Sequence, residues 1–131
     1  MTNLFLPCLI VSLITYKLLL ISNNKIDKNI LNVIFLGQKI LLFSSIFKLN
    51  KLIEISHYIY SISLVIGTLF FKEKYNLLFI LATLLVTIAT RNYYNDCLFY
   101  MANDNTEIID INFDYIVYSC IIICLYKLYK L

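Results

Sequence analysis

Tryptophan is absent from the sequence, glycine occurs twice, proline once, and charged residues make up only 15% of the chain. An ordinary soluble domain carries roughly 25% charged residues. With 61% hydrophobic residues in 131 positions, the chain has more apolar surface than so small a domain can hide from water. A water-soluble enzyme is excluded on this ground. Nucleic acid is not expected as a partner, because the net charge of +3 is small and its lysines are dispersed rather than clustered on one face. Disorder is excluded too, since it requires low hydrophobicity and high net charge.

The scarcity of glycine has a further consequence. Gly37 and Gly67 stand alone, with no G-x-x-x-G and no TVGYG filter. Membrane helices generally use more glycine where backbones approach closely, so a glycine-lined pore is disfavoured. The four cysteines, Cys8, Cys97, Cys120 and Cys124, form no C-x-x-C, which removes the zinc and thioredoxin-like readings. Cys120 and Cys124 share a helix face and are read as packing groups. Cys97 would join Cys8 only on an oxidising side. No Ser-His-Asp order, phosphate-cradling glycine loop or metal-ligand cluster is present, and no cofactor is implied.

Abundant Ile, Asn, Lys, Tyr and Phe have AT-rich codons, whereas the scarce Gly, Pro, Ala, Arg and Trp have GC-rich ones. This bias is read as an AT-rich genome, of an organelle or a virus for instance. It discourages a functional reading of each Tyr or Asn.

Continuous apolar runs dominate what remains, and mean hydropathy is +0.82. Runs of about 17 to 25 residues cross a bilayer as helices. The expected fold is an all-α, polytopic integral membrane bundle forming one domain. About five transmembrane helices are expected, at about 4–22, 30–47, 52–71, 75–93 and 112–128. The apolar stretch from Tyr115 to Tyr126 is short, so four spans with an interfacial last helix is the alternative. The first run lacks a basic n-region and an A-x-A site and is read as a retained helix. Residues 23–29 and 48–51 and Lys72 to Lys74 are expected as turns. Residues 94–110 are the one long polar stretch. A β-barrel does not fit runs without period-2 alternation.

With five spans, Lys25, Lys28, Lys72, Lys74, Lys127 and Lys130 fall on one side, and Lys48, Lys51 and Arg91 on the other. The richer side is predicted to be cytoplasmic, or the matrix side in an organelle. The N-terminus and the 94–110 loop would then face the non-cytoplasmic side.

Ionisable residues inside a bilayer are costly and are functional candidates by default. Lys39 lies mid-way along the second run. Glu54 and His57, three apart, share a helix face, which Ser61 and Thr68 continue. A carboxylate and an imidazole so placed would relay protons. As purely structural groups, Glu54 is a helix-start residue at the membrane edge, and Lys39 with Glu54 is a salt bridge fixing helix register. Thr83, Thr87 and Thr90 lie on one face and are read as bonding back to their own helix or gluing it to a neighbour, with a hydrophilic path as the alternative. They lead to Arg91, which with Asp96 or a lipid phosphate would form an interfacial anchor. The expected role is a non-catalytic structural or accessory subunit of an organellar or viral membrane complex. It would contact the lipid bilayer and other membrane subunits or itself. The alternative is a small transporter or proton- or ion-conducting protein using Lys39, Glu54 and His57.

Overall fold

A computed structural model of the chain describes residues 5–94 and 114–131. These form α1 (Phe5–Ile21), α2 (Lys25–Phe47), α3 (Asn50–Phe70), α4 (Lys74–Tyr94) and α5 (Asp114–Lys130). The fold is an all-α bundle, and no strand occurs among the described residues. Three helices, α2, α3 and α4 up to Tyr93, are long and apolar enough to cross a membrane. The outer two helices have 17 residues each. That is about 25 Å at 1.5 Å per residue, near the lower limit for a bilayer. Most of the expected 94–110 loop, with Asp96 and Cys97, lies outside the described residues.

Short connections make consecutive helices antiparallel neighbours. The fifth helix packs along α4 and beside α3, and its end meets the end of α3. There the Lys127 ammonium donates to the carbonyls of Thr68 and Leu69 at 3.1 Å each. The α1–α2 turn, the α3–α4 turn and the end of α5 therefore gather at one end of the bundle. Six of the chain's lysines sit there, which makes it the lysine-rich end.

Helix α2 starts at Lys25, five residues before the expected Ile30. Asn24 sits in extended conformation and its side chain accepts from Ile26 N at 2.9 Å and Asp27 N at 3.2 Å. Such an N-cap satisfies amides that the first turn leaves open. The polar run expected as a turn is thus mostly the first turns of a helix. The expected 48–51 turn also narrows, to Lys48 and Leu49. Lys48 has φ 52° and ψ 47°, the left-handed cap conformation usually taken by glycine.

Leu31, Ile34, Phe71, Leu77 and Ile80 form the centre of the core, and Cys120 and Cys124 join it from α5. A smaller cluster of Cys8, Leu41 and Ile53 lies where α1, α2 and α3 meet. Both cysteines of α5 and Cys8 are free thiols. Glycine, though scarce, is used where helices approach. A Cβ on Gly37 would stand 3.2 Å from Ile59 Cγ2, and one on Gly67 would stand 2.9 Å from the Phe71 ring.

Buried hydroxyls mostly bond to carbonyls of their own helix. Thr83, Thr87 and Thr90 donate to carbonyls one turn back at 2.8 to 2.9 Å, as their spacing suggests. Ser12, Ser56, Ser63 and Thr68 do the same. Two of them also meet a neighbouring helix: Thr83 faces Tyr60 of α3, and Thr68 meets the Cys124 thiol of α5.

Candidate functional site

Two carboxylates, Asp27 and Glu73, meet at the lysine-rich end. Asp27, in the first turn of α2, is completely buried. Its oxygens accept from Lys72 N at 3.1 Å, Glu73 N at 3.0 Å and Asn76 Nδ2 at 2.9 Å. It thus caps the start of α4 from another helix. Glu73, just before α4, answers in the opposite direction. Its Oε1 accepts from the Ser22 hydroxyl at 2.6 Å, Asn23 N at 3.0 Å and Asn24 N at 2.7 Å. It thereby holds the α1–α2 turn. The Ser22 hydroxyl, ahead of the Asn24 amide, keeps the Glu73 carboxyl below its ordinary value of 4.5. A carboxylate at a helix N-terminus is also favoured by the helix dipole. Both acids accept several strong hydrogen bonds, a setting that clamps two turns together rather than moving protons.

Lys127 completes this end. Its two carbonyl acceptors belong to the last turn of α3, whose C=O groups have no partner further along the helix. Cys124, one turn earlier, is buried, with its Sγ 3.8 Å from Thr68 Oγ1.

The residues singled out from the sequence are placed differently. Lys39 is exposed on the outer face of α2. Its ammonium lies 4.9 Å from the centroid of the Phe35 ring, itself packed edge-on against Tyr16 at 6.1 Å. Glu54 is partly buried and accepts from the Tyr58 hydroxyl at 2.9 Å. His57 is partly buried and stacks on the Tyr58 ring at 5.9 Å. Glu54 and His57 thus share Tyr58, but the expected Lys39–Glu54 ion pair is not formed. Arg91 is partly buried in the last turn of α4; Asp96, its expected partner, lies outside the described residues. Among the described residues, no group of three His, Cys, Asp or Glu side chains comes together as a metal site.

The pair that sequence reasoning missed is Asp27 with Glu73. One half of the signal was legible: Asn24 followed three residues later by Asp27 resembles a capping box. The other half was not, because the two clusters join residues 45 to 51 positions apart.

Fold and site together define a small all-helical bundle with three helices long and apolar enough to cross a membrane. No protein-family model, curated protein or solved structure matches the chain. The functional reading therefore rests on its own geometry.

Proposed function

We propose that the chain is a non-catalytic subunit of a membrane assembly, meeting its partner through the outer face of α2. Residue usage points to the membrane of an organelle or of a virus and its host. One observation carries this reading: Lys39 is exposed among Leu36, Phe43 and Ile46, which are exposed too. Helical side chains lean toward the N-terminus, and the Lys39 ammonium lies over Phe35, one turn back. It therefore leans away from the nearer helix end at Phe47, about 12 Å distant at 1.5 Å per residue. Lysines near helix ends escape hydrocarbon by reaching for the interface; this one is directed toward the helix middle.

A charge at that depth costs about 3 kcal/mol or more. Among the described residues, no carboxylate pairs with Lys39. A carboxylate or carbonyl on a neighbouring membrane helix, from another subunit or a second copy, removes the cost. The engagement of Asp27 and Glu73 in helix caps also favours a scaffold. A conducting path would need Lys39, Glu54 and His57 to face one interior, and Lys39 faces outward.

The test is extraction from the native membrane in mild detergent. The chain is expected in an assembly of fixed stoichiometry well above its own 15.4 kDa. Lys39→Leu and Lys39→Glu are expected to release it while helical content is kept. A lone monomer, or an assembly indifferent to both variants, defeats the proposal.

A further inference from the structure

The lysine-rich end holds a feature unrelated to the Lys39 face. A cavity of about 430 Å³ opens between the end of α3, the start of α4 and the end of α5. Three lysines, Lys72, Lys127 and Lys130, line it, whereas Asp27 and Glu73 do not. The rest of the wall is largely apolar. Buried Phe71 and Leu77 contribute to it, and exposed Phe70 and Tyr126 lie at its edge.

The lysines are positioned by the fold. The Lys127 ammonium is fixed by the carbonyls of Thr68 and Leu69. An ammonium has three N–H donors, so one remains for a ligand. The Lys130 ammonium stands 5.6 Å from the centroid of the Tyr126 ring. The backbone of Lys72 is held by Asp27. Three lysine ammoniums outnumber the one anionic group of the wall, the main-chain carboxylate of Leu131, and with the apolar remainder they suit a ligand that is anionic at one end and apolar at the other.

We propose that this cavity binds the phosphate headgroup of an anionic membrane lipid. Lys72, Lys127 and Lys130 meet the phosphate, and an acyl chain runs along the exposed Leu69 and Phe70. Two facts favour a lipid over free phosphate. The cavity has an apolar wall that would gain nothing from a small hydrated anion. It opens beside Leu69 and Phe70, on a helix long and apolar enough to lie in lipid. Basic pockets between membrane helices bind acidic headgroups in this manner.

Native mass spectrometry of the full chain tests this, in micelles doped with dioleoylphosphatidylglycerol or dioleoylphosphatidylcholine. Retention of the glycerol lipid and loss of the choline lipid are expected. Lys72→Gln and Lys130→Gln spare the Lys127 contact with α3, so the fold should survive them. Each is expected to weaken retention roughly fivefold, and the pair roughly 25-fold. The control pair Lys25→Gln with Lys28→Gln removes equal charge from the same end, away from the cavity wall. It should change retention less than about twofold at physiological salt. Equal losses in both pairs would reduce the effect to general surface charge and overturn the site. So would the absence of any preference between the lipids. Displacement of the lipid by equimolar inorganic phosphate would overturn the lipid assignment in favour of free phosphate.

Discussion

The carboxylate of Asp27 accepts the backbone N–H of Glu73 at 3.0 Å, and the carboxylate of Glu73 accepts the N–H of Asn24, three residues before Asp27, at 2.7 Å. Each acid thus closes the helix start that the other belongs to. The exchange couples the α1–α2 turn to the α3–α4 turn, and among the described residues neither acid forms an ion pair with a base.

Asp27→Ala leaves two half-buried amides without their acceptor and the buried Asn76 amide with only the Ser22 hydroxyl, at 3.4 Å. The expected loss is about 3 kcal/mol. Asp27→Asn keeps the shape and one acceptor and should lose less. Unfolding in detergent measures both, and hydrogen exchange at the amides of Lys72 and Glu73 should quicken in the alanine variant. Unchanged exchange there would contradict the capping role.

Glu73 makes this end sensitive to acid. Its folded-state pKa lies below 4.5 because of its hydrogen bonds with Ser22 and Asn24. The unfolded chain therefore binds the proton first as pH falls, and stability falls with it. The contribution is complete above about pH 5 and fades below 4.5 as the folded pKa is approached. Glu73→Gln should lower stability at neutral pH and flatten the curve between pH 3 and 5. Parallel curves for variant and parent would remove Glu73 as the titrating group.

The two glycines should respond unequally to alanine. At Gly67 the new methyl would stand 2.9 Å from the Phe71 ring and 3.1 Å from Ile80 Cδ1, and both residues are fully buried. Overpacking of this kind costs about 1–3 kcal/mol. At Gly37 the nearest atom is the Ile59 methyl at 3.2 Å, on a residue that is only partly buried. Gly67→Ala is expected to be the more destabilising in thermal unfolding, and the reverse order would count against the packing described at α3.

Lys48 is the single non-glycine residue with positive φ among the described residues. The left-handed conformation costs an L-residue about 1–2 kcal/mol. Lys48→Gly relieves that strain and frees more backbone in the unfolded chain. The net expectation is a gain of about 0.5–1 kcal/mol, read as a raised midpoint of unfolding. A lowered midpoint would mean that the lysine side chain itself stabilises the turn.

The helices were legible because apolar runs from Ile30 to Phe47 and from Leu52 to Phe71 leave little else to form. The start of α2 was not, since Lys25, Asp27 and Lys28 look like loop chemistry until Asn24 is recognised as a cap. The threonines of α4 behave as their spacing suggests, because their acceptors are local. Lys39 shows the limit: its depth along the helix follows from counting residues, but its outward direction depends on how α2 packs against α1 and α3. The Asp27–Glu73 exchange lies beyond sequence reading for the same reason, since it needs two turns that only the folded bundle brings together.

That exchange also constrains the order in which the chain is completed. Asp27 is made 45 to 49 residues before its three donors, and α1, α2 and α3 precede them. Through all of that synthesis none of its three donors is yet present. Glu73, when it arrives, brings its own amide to Asp27 and its carboxylate to the earlier turn. The α3–α4 turn is therefore the closing stitch of the first four helices, and a chain interrupted before residue 72 carries an open acid at the foot of α2.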